Sequence, residues 1–141
     1  MKSKSILFVA AALCLCVAAS AWSTDIKVVA NQSVGASAVS ADELKAVFLM
    51  TKTSLADGSH VEPVLEKAGT THDRFLKECL GKTESALETY YRSLVFTGKA
   101  SMPKMVASDA DVVEYVAKTK GAIGYIGAGT SAAGVKTLEV K

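Results

Sequence analysis

Gly121-Ala122-Ile123-Gly124-Tyr125-Ile126 sits near the end of the chain and reads as a glycine turn feeding a buried strand, Ile123 to Ile126. On its amino-terminal side, Ser108 with Asp111 has the spacing of a helix cap. Val112, Val113 and Val116 then form a helical stripe, and Lys118 and Lys120 stand where cations suit the helix dipole. On its carboxyl side, a Gly/Ala/Ser turn from Gly127 to Gly134 leads to a last strand, Val135 to Val140.

Further out the alternation continues. Leu87, Tyr90, Tyr91, Leu94 and Val95 recur at helical spacing in a helix that starts near Glu84 and stops at Gly98. Pro103 lies in a connecting stretch. A shorter helix opens at Ala68-Gly69-Thr70-Thr71, buries Phe75, Leu76, Cys79 and Leu80, and ends at Gly81. Val61 to Glu66 is a strand, with Pro63 marking an edge or a beginning. Asp57-Gly58 is a turn. Ser40 with Glu43 has capping-box spacing before a helix carrying Leu44, Val47 and Phe48. Residues 31–40 are small and polar and read as a loop, after a β-branched strand from Ile26 to Ala30. Strands alternating with helices predict a three-layer α/β domain, a mixed sheet of about five strands with helices on both faces.

The first residues predict the compartment. Lys2 and Lys4 precede an apolar run from Ile6 to Ala19, and Ala19-Ser20-Ala21 has the small-x-small form of a cleavage site. Residues 1–21 are therefore expected to be a signal peptide, which places residues 22–141 in the periplasm or outside the cell as one domain. A span needs about 20 apolar residues, so no stable membrane insertion is expected after cleavage. A retained anchor and a lipoprotein are the other readings, but Leu13 and Leu15 stand before Cys14 and Cys16 where a lipoprotein needs a small residue. Cleavage removes Lys2 and Lys4 from 16 basic residues and so leaves as many as the 14 acidic ones. With no basic stripe, nucleic acid is not expected as a partner. Cys79 is left alone, which excludes an internal disulfide in the mature chain. It reads as a small buried hydrophobe ahead of a reactive or dimer-forming thiol.

The order of these pieces resembles the second lobe of the phosphate ABC transporter substrate-binding proteins. Ser40-Ala41-Asp42-Glu43-Leu44-Lys45-Ala46-Val47-Phe48 resembles that family's entry helix. Asp57-Gly58 resembles its Asp-Gly turn, although Leu55 stands where tryptophan is usual. Gly69-Thr70-Thr71 with Phe75 resembles its Ser-Gly-Thr stretch, and Gly121-Ala122-Ile123-Gly124-Tyr125 matches its Gly-Ala-Ile-Gly-Tyr strand. The resemblance implies a single lobe of a type II periplasmic binding protein. It implies a site for inorganic phosphate or a related oxyanion, with an ABC transporter permease or a second copy of the chain as protein partner.

Free amides and the dipole at helix starts favour an anion. Gly69, Thr70, Thr71 and Arg74 are the expected oxyanion ligands at the second helix, joined by Ser33 and Ser37 from the loop after the first strand. The family's arginine has no counterpart in Val64-Leu65-Glu66-Lys67, where Glu66 would repel a phosphate if it faced the site. The resemblance also covers only one of the family's two lobes. An interaction or scaffold protein that reuses the lobe without a ligand is the alternative function.

An enzyme is not expected. His72 and Cys79 lie about 10 Å apart along a helix, too far for a base and its nucleophile. No GxSxG, HExxH or Walker pattern occurs. No cofactor and no metal is expected.

Overall fold

The computed structural model describes residues 26–141. The predicted signal peptide, residues 1–21, lies outside them. No helix among the described residues is long and apolar enough to cross a membrane.

Strand β1 (Ile26–Ala30) lies in the middle of the sheet and is covered on both sides. Side chains alternate across a strand. Val28 and Ala30 therefore enter one core, and Val29 enters the other. The first core lies under α1 (Ala41–Phe48), α2 (Thr70–Phe75) and α3 (Glu84–Phe96), and the second lies under α4 (Asp109–Lys118). The result is the three-layer α/β lobe that the sequence predicts.

The remaining strands are β2 (Ala38–Val39), β3 (Glu62–Glu66), β4 (Lys104–Val106), β5 (Ala122–Gly127) and β6 (Lys136–Val140). Their order is β2-β6-β1-β5-β3-β4. β1 pairs antiparallel with β5 and β6, while β3 runs parallel to β5 and β4. The sheet has six strands because two short stretches pair at its edges. The first lies inside the stretch read as a loop, where Ala38 and Val39 pair with β6. The second follows Pro103. Segments of two or three residues have too little alternation to signal a strand. Pro63 stands at the beginning of β3, before pairing with β4 starts at Val64.

Gly124 explains how close α4 comes to the sheet. A Cβ there would sit 2.8 Å from Val112 Cγ1 and 3.4 Å from the Val64 carbonyl oxygen. Gly124→Val is therefore expected to destabilise the protein by about 2–4 kcal/mol through overpacking. Urea unfolding checks this, and a cost under about 0.5 kcal/mol would contradict the packing.

Three local details differ from the sequence reading. Ser40 Oγ accepts the Glu43 N–H at 3.1 Å. Glu43 does not complete the capping box, because its carboxylate accepts the Ala56 N–H instead. α2 continues as a π-helical turn, Leu76–Leu80, which carries Cys79 and Leu80 inward. On α3, Leu87 and Tyr91 are buried, whereas Val95 is 45% and Phe96 93% exposed. At 100° per residue Val95 falls about 80° around the helix from Leu87, the far edge of the stripe.

Candidate functional site

The carboxyl ends of β3 and β5 meet the starts of α2 and α4. Gly69 precedes α2 with φ 121° and ψ 169°, a backbone shape that side chains resist. A Cβ there would touch nothing within 4 Å. The need for glycine is thus torsional, not one of space. Ser108 caps α4, its hydroxyl accepting the Asp111 N–H at 3.3 Å.

Asp109, the first residue of α4, lies where these elements converge. Its Oδ2 accepts the Gly127 N–H at 2.8 Å and the Thr130 hydroxyl at 2.7 Å. The Thr71 hydroxyl and the Glu66 carboxyl also hydrogen-bond to it. Glu66, the last residue of β3, is only 2% exposed. Burial pushes its carboxyl up to about 8, helped by the hydrogen bond and negative charge of Asp109. Burial acts on Asp109 in the same direction. There it is outweighed by hydrogen bonds from Glu66, Thr130, Gly127 and Thr71, which hold Asp109 below the ordinary carboxylate range. At neutral pH the pair therefore shares one proton and carries one negative charge.

A groove runs past this pair, lined by Gly69, Thr70, Thr71, Ser108, Asp109 and Thr130 among others. Among the described residues, no lysine or arginine lines it. The Lys27 ammonium lies nearby and donates to the Thr130 carbonyl at 3.0 Å.

Of the predicted ligands, Gly69, Thr70 and Thr71 come together in this groove. Arg74 lies on the exposed face of α2 and does not line it. Ser33 is elsewhere: its hydroxyl accepts the Gly121 N–H at 3.0 Å. Gly121 and Gly127 flank β5 at opposite ends, about 20 Å apart at strand rise. Ser37 lies by the sheet's other edge, where its carbonyl accepts the Glu139 N–H, with β6 and β1 between it and β5. Sequence reasoning missed Asp109 and Thr130. The available signal was Val64-Leu65-Glu66, an acid directly after an apolar pair, with a second acid directly after the Ser108 cap.

Behind the groove runs a buried polar chain. The Glu66 N–H donates to Tyr125 Oη at 3.0 Å. Tyr125 Oη meets His72 Nδ1, and His72 Nε2 meets the Glu84 carboxylate. The tyrosine hydroxyl hydrogen is thus free for Nδ1, and the Nε2 hydrogen for Glu84. Tyr125 stacks on Phe75 with centroids 3.9 Å apart, packing between β5 and α2. Both His72 nitrogens are engaged, neither by Cys79. Burial pushes the Cys79 thiol up to about 12, so it is protonated at neutral pH. Among the described residues, no group of three or more His, Cys, Asp or Glu could hold a metal ion.

This architecture is that of a periplasmic binding protein lobe. It is similar to a protein described as a phosphate ABC transporter substrate-binding protein, with bound phosphate, from Clostridium perfringens. That match has TM-score 0.63 and 16% identity over 82% of this chain and 44% of the other. An ABC-type phosphate transport receptor from Vibrio cholerae matches with TM-score 0.61 and 16% identity, over 84% of this chain and 48% of that one. PstS from Borrelia burgdorferi matches with TM-score 0.63 and 13% identity, over 83% and 47%. The chain thus spans less than half the length of these proteins, and at such identities the likeness is one of fold. No protein-family model and no curated protein matches the sequence.

Proposed function

We propose that this chain is an extracytoplasmic binding-protein lobe that supplies its own oxyanion, the Asp109 carboxylate, and works through protein contact rather than by carrying free phosphate. One observation carries this reading: Asp109 accepts from Gly127, Thr130 and Thr71, donors that an incoming oxyanion would use. A phosphate entering the groove meets a carboxyl pair that already bears a negative charge, with no lysine or arginine among the described residues of the lining. The exposed Phe96 and Val95 supply apolar surface of the kind partners cover. The partner is a second copy of the chain or the permease of a transporter. The signal-like residues 1–21 supply the extracytoplasmic setting.

A second reading keeps a phosphate-type oxyanion as the ligand, in uptake or sensing. It rests on Gly69-Thr70-Thr71 at the start of α2 and on the phosphate bound to the Clostridium perfringens neighbour. Calorimetry at pH 7.5 separates the two. The full chain is expected to show no saturable phosphate binding up to about 1 mM. A photo-crosslinking residue at Phe96 is expected to trap one protein species in the producing cell. Phosphate binding that Thr71→Ala weakens, with no crosslink at Phe96, would establish the second reading instead.

A further inference from the structure

A separate cleft of about 390 Å³ opens at the other end of β3, beside Glu62 and Pro63. That volume lies in the range of small-molecule sites. Its buried lining is apolar, with Val61, Pro63 and Pro103, and the half-exposed Met102 and Tyr115 extend it. Its exposed lining is polar with a cationic excess: Lys52, Lys99 and Lys104 against a single carboxylate, Glu62, beside Thr53, His60 and Ser101. Glu62 is itself 3.7 Å from His60 Nε2. The Lys104 ammonium lies 5.3 Å from the centroid of the Tyr115 ring, which holds it at the mouth by a cation–π contact.

Met50 adds an independent observation. It follows the end of α1 with φ 62°, the one described residue other than glycine in the left-handed region. Glycine normally takes this place after a helix, because any side chain there is strained. Here a methionine keeps the strained position; it packs against the first core and also lines the cleft. Strain retained beside a cavity points to a use for the side chain. Methionine suits an apolar ligand surface because it is flexible and polarizable.

We propose that this cleft binds a small amphiphilic anion, an aliphatic carboxylate of medium chain length. The tail packs on Met50, Val61, Pro63 and Met102, and the carboxylate meets Lys99 and Lys104. Apolar lining alone would take any hydrophobe; the three lysines select an anionic one.

Titrating the full chain with sodium octanoate in a calorimeter tests this. Saturable one-to-one binding is expected with Kd below about 1 mM, and 1-octanol is expected to bind at least about tenfold more weakly. Lys99→Glu combined with Lys104→Glu lowers octanoate affinity about tenfold. Met50→Gly relieves the backbone strain and stays folded by circular dichroism, yet lowers the affinity about threefold. No saturable heat up to about 10 mM octanoate, equal affinity for octanol, or indifference to these substitutions would overturn the proposal.

Discussion

His72→Ala is expected to cost about 3–5 kcal/mol of stability, a large part of what holds a domain of this size together. The imidazole is fully buried and bridges Tyr125 to Glu84. Truncating it leaves a cavity beside Phe75 and Tyr125. It also strands the Tyr125 hydroxyl hydrogen in a fully buried place, and an unmet buried donor costs more than an average hydrogen bond is worth. Glu84→Gln should cost far less, under about 1 kcal/mol, because that carboxylate is half exposed and surface ion pairs contribute little. Urea unfolding of both variants checks the order. Equal costs would mean that the contact with Glu84, and not the burial of the ring or its bond to Tyr125, carries the histidine's contribution.

The second large effect is on pH dependence. Unfolded, Glu66 titrates near the ordinary glutamate value of 4.5; folded, it holds its proton to about 8. Between these values the folded state binds more protons, so stability falls as pH rises. This contribution is complete below the unfolded value and lost as pH passes through the folded one. Asp109 acts in the opposite sense. Its lowered value stabilises the fold above the ordinary carboxylate range, and that stability is lost under strong acid. Glu66→Gln keeps a donor to Asp109 and removes the titration. It is expected to be more stable than the unaltered protein at pH 8.5 by more than about 1 kcal/mol, and no more stable at about pH 3.5, below the unfolded value. Parallel stability curves for the two proteins would show that Glu66 is not a buried, proton-sharing acid.

Much of the fold was legible because strong periods survive tertiary packing. Val112 and Val116 face the sheet as their spacing predicts, and Ile123 with Tyr125 forms one face of β5. Capping chemistry was half legible: Ser40, Ser108 and Gly81 act as read, while Glu43 turned to a nearby amide. β2 and β4 were not legible, because pairing partners and not their own pattern make them strands.

The site was legible only where it is local. Gly69, Thr70 and Thr71 are consecutive, and a glycine before a helix announces itself. Asp109 lies 43 positions from Glu66 in the chain, and the two meet only because β3 ends beside the start of α4. Ser33 and Ser37 failed to join for the same reason. Their loop follows β1, which runs antiparallel to β5, and so emerges at the wrong end of the sheet.

The most direct measurement is phosphate calorimetry on Asp109→Ser beside the unaltered full chain at pH 7.5. If Asp109 is the oxyanion of this lobe, the unaltered protein stays silent. The variant, with Gly127, Thr130 and Thr71 released, then acquires saturable binding. Phosphate binding to the unaltered protein that Asp109→Ser leaves the same or weaker would contradict the account.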